Sequence, residues 1–243
     1  MSELVCAIVG AGEGLGQALA AKFASEGFNL ALISRTVIGS EASIKAARDA
    51  NNQTKVEHFA ADAARPETIE SALRQASEIM GAPDVLIYNV RDKFTRCEPL
   101  EMTYEQLDSL FRTEVSGAFA AAKAVLPAMI DKGHGSIFFS SATAAFRGSS
   151  TFPLYAIGKF GLRALSQSLA KAYSKDGVHI VHVRLDCDLD VPVMKDLYGA
   201  AYNPEGLADP AAVAQSYWLT YQQPKSAWSN EIELRPHKEN WTY

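Results

Sequence analysis

The stretch that most constrains the fold of this chain lies near its N-terminus, where an apolar run is followed at once by a glycine-rich turn. Residues 4–9 are predicted to form a buried strand and residues 17–26 a helix. Between them, Gly10, Gly14 and Gly16 have the spacing G-x-x-x-G-x-G. A strand, a glycine turn and a helix in this order direct unpaired backbone N–H groups at a phosphate, which a side chain on the turn would hold away. The turn therefore predicts a βα unit that binds the phosphates of a nucleotide.

The end of the second predicted strand, residues 28–33, bears on which nucleotide binds. About 20 residues after such a turn, a carboxylate is expected when the cofactor ribose has a free 2′-hydroxyl. Ser34 and Arg35 stand there instead, and a hydroxyl and a guanidinium suit a 2′-phosphate. Glu13, inside the turn, would repel that phosphate if it points inward. These residues favour NADP(H), with NAD(H) as the alternative and a solvated surface role left open for Arg35.

Predicted strands and helices alternate along the rest of the chain. Strands are predicted at residues 55–60, 84–88, 136–140, 178–185 and 230–235, and helices at residues 66–80, 104–132, 152–175 and 210–222. This alternation predicts an α/β fold, a doubly wound, Rossmann-like parallel sheet of about seven strands with helices on both faces. No linker interrupts the 243 residues, so we expect a single domain over residues 1–243 with a short tail at 236–243.

Composition and charge argue against several other classes of protein. The net charge of −5, without a basic run, disfavours a nucleic-acid partner. No apolar stretch is long enough to cross a bilayer, and the first residues lack the basic start and apolar core of a signal peptide. The three cysteines and five histidines show no metal-binding spacing. We therefore expect a cytoplasmic protein without a bound metal.

A tyrosine and a lysine one helical turn apart form the candidate catalytic pair. Tyr155 and Lys159 lie in the predicted helix 152–175 and share one of its faces. A nearby ammonium favours the phenolate, so the pKa of Tyr155 is expected to fall from its usual value of about 10. Such a tyrosine can exchange a proton near neutral pH. Tyr221 and Lys225 have the same spacing, but Pro224 is expected to end their helix first.

Several polar residues follow the predicted strands directly. Asp62, Asn89 and Ser141 come after the third, fourth and fifth strands. The carboxyl ends of parallel strands meet at one edge of a sheet, where ligands of this fold bind. We therefore expect these residues to lie near Gly10 and Arg35.

With these motifs, the chain resembles the short-chain dehydrogenase/reductase family over nearly its whole length. The resemblance implies that Asp62 contacts the adenine and that Asn89 steadies the sheet and the cofactor. It also implies that Lys159 binds the nicotinamide ribose and tunes Tyr155, the proton donor or acceptor. The cofactor site expected from the motifs and the resemblance comprises Gly10, Gly12, Glu13, Gly14, Leu15, Gly16, Ser34, Arg35, Asp62, Ala63, Asn89, Val90, Arg91, Tyr155, Lys159, Asp186, Leu189 and Val191.

The resemblance implies assembly as well, because in the family the two long helices pair across subunits. In the predicted helix 104–132, apolar residues recur at helical spacing and extend beyond one face. The predicted helix 152–175 shows the same feature. A homodimer or homotetramer is therefore expected.

The family's catalytic serine falls on an alanine in this chain. It usually lies thirteen residues before the tyrosine, which is the position of Ala142. Ser141 and Thr143 flank that position. A one-residue bulge would bring Ser141 into place, so we favour Ser141, and leave open Thr143 or neither.

Other departures alter the charge of the site. The family's active-site asparagine is Glu114 here, and a threonine near the carboxamide is Val191. Arg91 replaces a glycine near the cofactor phosphates. If Glu114 points at Lys159, it should hold that lysine charged and partly cancel its effect on the tyrosine.

Together these features predict an NADP(H)-dependent oxidoreductase that interconverts a small-molecule carbonyl and an alcohol by hydride transfer. Tyr155 would be the general acid or base and Ser141 would hold the substrate oxygen, with Lys159 and Glu114 completing the catalytic set. The alternative is a cofactor-binding protein with little or no turnover, such as a sensor or assembly subunit, and a further one is an epimerase. The substrate cannot be read from the sequence, but its pocket is expected over residues 91–97, 146–153 and 191–202.

Overall fold

The structure, a computed structural model that describes residues 4–238, contains one seven-stranded sheet in which every pair of neighbouring strands is parallel. The spatial order is β3-β2-β1-β4-β5-β6-β7. The strands are β1 (Val5–Val9), β2 (Asn29–Ser34), β3 (Val56–Ala60), β4 (Val85–Tyr88), β5 (Gly135–Ala142), β6 (Val178–Leu185) and β7 (Glu231–Leu234). The order reverses between β1 and β4, and ligands of doubly wound sheets bind at that switch point. The predicted fold class is confirmed.

Eight α-helices connect the strands of the described part of the chain. They are α1 (Leu15–Ser25), α2 (Glu41–Ala50), α3 (Pro66–Met80), α4 (Tyr104–Phe111), α5 (Gly117–Lys132), α6 (Pro153–Tyr173), α7 (Pro192–Tyr198) and α8 (Pro210–Tyr221). The sequence did not predict α2 or α7, because α2 buries only Ser43 and Ala47 and α7 buries none of its residues. Helix α2 has one large apolar residue, Ile44, and the seven residues of α7 are too few to establish a helical period. Helix α8 ends before Pro224, as predicted, so Tyr221 and Lys225 do not share a helix.

The sheet is covered on both faces, which explains why its central strands read as continuous apolar runs. One core packs α3, α5 and α6 against the sheet, with Ile69, Phe139 and Leu162 among its buried side chains. The other packs α1, α2 and α8 against the opposite face, around Leu19 and Phe28. All five residues of β1 are buried. Among residues 4–238, no helix is long and apolar enough to cross a membrane.

A π-helical turn, Arg112–Ser116, interrupts the long helix predicted over residues 104–132. The Gly117 N–H bonds the Arg112 carbonyl, five residues back, and the freed Thr113 carbonyl accepts from the Tyr88 hydroxyl. Gly117 is needed because a Cβ there would lie 2.5 Å from the Tyr88 hydroxyl oxygen. Such turns often occur at functional sites, and this one directs Glu114 into the protein, where it is fully buried.

Both ends of the chain extend beyond the described residues. Of the tail expected over 236–243, residues 239–243 lie outside them, as do residues 1–3. The sheet itself takes strands from the whole described chain, from β1 at Val5–Val9 to β7 at Glu231–Leu234.

Candidate active site

The glycine turn after β1 forms an open cradle at the switch point of the sheet. Gly10 and Gly14 have φ values of 89° and 85°, a region that favours glycine. A Cβ on Gly10 would lie 2.6 Å from the Asn89 carbonyl oxygen, and one on Gly14 would lie 3.0 Å from Val191 Cγ1. Helix α1 then begins at Leu15 without a side-chain cap. No side chain therefore accepts a hydrogen bond from its first N–H groups, which point toward the cradle. The cradle and the helix N-terminus fit a pyrophosphate.

The other predicted residues of this turn occupy different surroundings. Glu13 is exposed and Gly12 is half-buried. Gly16 lies inside the first turn of α1, where a Cβ would be 2.8 Å from the Gly10 carbonyl oxygen. Gly16 therefore allows the close packing of helix and turn, and its contact with the cofactor stays a prediction.

At the end of β2, the two residues expected to bind a 2′-phosphate differ in their hydrogen bonding. The Ser34 hydroxyl donates to the Thr36 carbonyl at 2.7 Å and lies 2.8 Å from Ser40 Oγ and 3.0 Å from His58 Nε2. A hydroxyl has one proton and two lone pairs, so these three partners saturate it. The Ser34 hydroxyl is thus used within the protein, and its contact with a 2′-phosphate stays a prediction. Arg35 is exposed and makes no hydrogen bond or ion pair with the rest of the described chain.

The residues after β3 and β4 lie on either side of the cradle. The Asp62 carboxylate accepts the Ala64 N–H at 3.1 Å, which shapes the turn that contains Ala63. Asn89 donates from Nδ2 to the Gly10 carbonyl at 3.2 Å and so ties the end of β4 to the glycine turn. This bond links two neighbouring strand ends of the sheet, and the implied contact of Asn89 with the cofactor stays a prediction.

The predicted residues after β6 are engaged within the protein. Asp186 is buried, accepts a hydrogen bond from the Thr143 hydroxyl and pairs with Arg235. Leu189 forms a bridge with Ala208. Val191 lies over the glycine turn, where its methyl group limits the space at Gly14.

Lys159 and Glu114 form a buried ion pair beneath the edge of the sheet. Lys159 Nζ lies 2.8 Å from Glu114 Oε2, and the two side chains are 3% and 0% exposed. The ammonium also lies 3.5 Å from the Val90 and Ser140 carbonyl oxygens. Glu114 reaches the lysine because Gly158, on α6, has no side chain in the way. A Cβ on Gly158 would lie 2.9 Å from Glu114 Cγ. The inward direction of Glu114, one of two alternatives left by the sequence, is the one observed.

Tyr155 lies above this pair, with its ring centroid 5.7 Å from Lys159 Nζ. Desolvation raises the pKa of the phenol, Lys159 lowers it, and the nearby Glu114 raises it again. The net direction is upward, so the expected fall in the Tyr155 pKa is wrong for this structure. The physical reason is that the sequence shows the lysine one turn away but not the burial of the ring or the carboxylate that offsets the lysine.

The two candidate hydroxyls differ in their partners. Ser141 Oγ is buried and has no hydrogen-bond partner within the described residues. It shares a face of β5 with Phe139, which packs in the core beneath α6. The Thr143 hydroxyl is occupied by Asp186. A buried hydroxyl without a partner costs free energy. Of the two candidates, Ser141 is therefore the hydroxyl still without a partner among the described residues, and its contact with a substrate oxygen stays a prediction.

Comparison with known proteins identifies the family of this chain. A family model described as short chain dehydrogenase matches residues 4–187. The chain belongs to the short-chain dehydrogenase family. A curated relative named an uncharacterized oxidoreductase of Staphylococcus aureus is 24% identical over 239 residues, which cover 97% of this chain and 98% of the relative.

Solved structures of short-chain dehydrogenases share the fold. A short-chain dehydrogenase from Rhodopseudomonas palustris is 30% identical with a TM-score of 0.81, over 96% of this chain and 99% of that one. An alcohol dehydrogenase from Thermococcus sibiricus, complexed with 5-hydroxy-NADP, is 22% identical with a TM-score of 0.84, over 99% of both chains. L-Sorbose reductase from Gluconobacter frateurii, complexed with NADPH and L-sorbose, is 22% identical with a TM-score of 0.83, over 97% of this chain and 96% of that one. The protein is thus an oxidoreductase of the short-chain dehydrogenase type.

One feature of this short-chain dehydrogenase site was not predicted from the sequence. The ring of Phe94, in the loop after β4, contacts Tyr155 with centroids 5.0 Å apart and also stacks on Phe152. The sequence placed residues 91–97 near the pocket but carried no signal for this contact. By contrast Phe146, from the second expected pocket segment, is held between the Arg163 and Arg184 guanidiniums.

Proposed function

We propose that this short-chain dehydrogenase interconverts a carbonyl compound and an alcohol with NADP(H), and that Tyr155 is the proton donor or acceptor. The observation that carries the proposal is the convergence of two features at one edge of the sheet. The glycine cradle and uncapped α1 can hold a dinucleotide, and Tyr155, Lys159 and the free Ser141 hydroxyl lie at the ends of β4 and β5. Both features belong to one dinucleotide-binding domain that spans the chain.

The residues of the site supply the proton and the charge stabilisation that carbonyl reduction needs. The cofactor, when bound, supplies the hydride to the carbonyl carbon or accepts it from the alcohol carbon. As charge develops on the carbonyl oxygen, the Ser141 hydroxyl donates a hydrogen bond to it and Tyr155 transfers its proton, which completes the alcohol. The resulting phenolate is stabilised by the Lys159 ammonium and regains its proton from solvent. Alcohol oxidation follows the same steps in reverse.

The proposed preference for NADP(H) rests on Arg35, since the Ser34 hydroxyl is used within the protein. The guanidinium of Arg35 is exposed at the end of β2 and has no acidic partner among residues 4–238. A bidentate guanidinium suits a 2′-phosphate. NAD(H) is the alternative, because the negative charge of Glu13 in the adjacent turn would repel a 2′-phosphate.

The proposed homodimer or homotetramer rests on aromatic residues that the long helices leave exposed. Phe111, Phe119 and Phe160 are 44%, 49% and 43% exposed. By contrast, Leu126 on α5 and Leu162 on α6 are buried. Exposed apolar rings on adjacent helices are a common feature of subunit interfaces. A cytoplasmic location stays a prediction from the cysteine pattern.

Substitution of Tyr155 tests the proposed chemistry. Tyr155→Phe removes only the hydroxyl, so turnover of a ketone and aldehyde panel should fall about 10²–10⁴-fold while cofactor affinity is unchanged. Tyr221→Phe is the matched control, because Tyr221 has a lysine at the same spacing but packs against Phe23 and Phe28 away from the site. Full activity in Tyr155→Phe would show that another group moves the proton. Cofactor binding without turnover in the wild-type protein would favour the sensor or assembly role.

A further inference from the structure

The side chain that contacts the proposed proton donor belongs to a surface loop rather than to the core. The Phe94 ring meets the Tyr155 ring edge-on, with centroids 5.0 Å apart and an angle of 83° between the planes. Phe94 is also stacked on Phe152, at 4.2 Å and 19°. The three rings thus form one aromatic surface that begins at Tyr155. The Arg91 guanidinium also lies over the Phe94 ring, with Cζ 5.9 Å from its centroid. Despite these contacts, Phe94 remains 52% exposed.

Backbone hydrogen bonds fasten the Phe94 loop on both sides of this residue. The Asp92 N–H donates to Glu114 Oε1 at 2.9 Å, and Glu114 is fully buried. The Cys97 N–H donates to the Thr151 carbonyl at 3.1 Å, next to Phe152 at the start of α6. The position of Phe94 is therefore set by the same carboxylate that pairs with Lys159 and by the helix that carries Tyr155. An apolar ring held half-exposed beside reactive groups is a feature of ligand sites.

We propose that Phe94 and Phe152 bind an aromatic ring of the substrate, so that the preferred substrates are aryl ketones or aryl aldehydes and the matching alcohols. The inference rests on the proposed function and adds the substrate class. Aromatic rings pack offset or edge-to-face at centroid distances of about 4.5–7 Å. A substrate ring packed against Phe94 therefore lies next to Tyr155, and a carbonyl attached directly to that ring lies within reach of the phenol.

A pair of ketones that differ only in aromaticity provides the test. Acetophenone and cyclohexyl methyl ketone have the same carbonyl, methyl group and ring size. The ratio of their kcat/KM values is measured in the wild-type protein and in each variant, so that the difference in intrinsic reactivity between the two ketones cancels. In Phe94→Leu, the preference for acetophenone should fall about two- to tenfold, the range for an aromatic pair beyond its buried area. Tyr104→Leu is the control, because Tyr104 is an 85% exposed aromatic residue at the start of α4, outside the expected pocket segments, and its ratio should equal that of wild type.

Further variants keep the outcome decisive. Phe94→Tyr retains the aromatic face and should restore the wild-type ratio, while Phe152→Leu should lower it if Phe94→Leu does not fold. An unchanged ratio in folded Phe94→Leu and Phe152→Leu overturns the inference and leaves the proposed function intact.

The proposed function can fail separately, and binding then decides the inference. If the wild-type protein turns over neither ketone, dissociation constants of the two ketones are measured by ligand-observed NMR in the presence of NADP⁺. Tighter binding of acetophenone that is lost in Phe94→Leu supports the aryl site. Equal affinities in the wild-type protein overturn it.

Discussion

Replacement of Glu114 by glutamine should reveal how this site balances its buried charges. The Glu114 carboxylate lies 2.8 Å from Lys159 Nζ, and the side chains are 0% and 3% exposed. At this distance and an effective dielectric constant of about 20, the gross Coulomb attraction is about 6 kcal/mol. Removing one partner of a buried pair leaves the other charge uncompensated and costs about 3–5 kcal/mol. Urea unfolding at pH 7 should show Glu114→Gln destabilised by that amount.

A double variant separates the effect of charge from that of packing. If the cost arises from the unpaired lysine, Glu114→Gln/Lys159→Met should be more stable than Glu114→Gln alone. Glu70→Gln is the control, because Glu70 Oε1 also pairs with a lysine, at 3.0 Å from Lys123 Nζ, but the two side chains are 36% and 59% exposed. An exposed pair is worth only about 0–1 kcal/mol. A double variant less stable than Glu114→Gln would refute the reasoning.

The same substitution should change the pH dependence of catalysis. Glu114 raises the pKa of Tyr155, so its neutralisation should lower that pKa. In alcohol oxidation Tyr155 must be deprotonated, and the midpoint of the rising limb of the pH–rate profile should move toward neutral pH in Glu114→Gln and Glu114→Asn. An unshifted profile with normal cofactor binding would exclude Glu114 from the proton path.

Three further predictions concern the cofactor, the assembly and His182, one of two buried histidines of β6. Arg35→Ala should weaken NADPH binding by about 1.5–3 kcal/mol and leave NADH nearly unchanged in fluorescence titrations, and equal losses would contradict a 2′-phosphate contact. Light scattering should show an oligomer that Phe119→Glu dissociates, whereas a wild-type monomer at every concentration would disprove the assembly. Burial lowers the pKa of His182 to about 4, so between about pH 6.5 and 4 the unfolded chain binds a proton that the folded chain does not. As the pH falls from about 6.5 to 4, the free energy of unfolding should therefore decrease by up to about 3 kcal/mol. A His182→Phe variant with the same pH dependence as wild type would refute this.

The sheet and the cofactor cradle could be predicted from the sequence because both depend on local pattern. Strands buried on both faces read as apolar runs, and the glycines mark positions where a side chain would collide, as at Gly10 against the Asn89 carbonyl. The spacing of Tyr155 and Lys159 placed both on one face of α6. Helices α2 and α7 were missed because α2 has only one large apolar residue, Ile44, and α7, with seven residues, is too short to establish a helical period.

The tertiary structure alone decided how the polar groups of the site are partnered. Ser34 is saturated by the Thr36 carbonyl and Ser40 from the segment after β2 and by His58 from β3. Thr143 is occupied by Asp186, the residue after β6. Glu114 reaches Lys159 only because a π-helical turn and Gly158 let α5 and α6 approach closely. Local sequence determines which residues share a face. Hydrogen-bond partners and pKa values depend instead on desolvation and on side chains that are distant in sequence, which only the packed fold brings together.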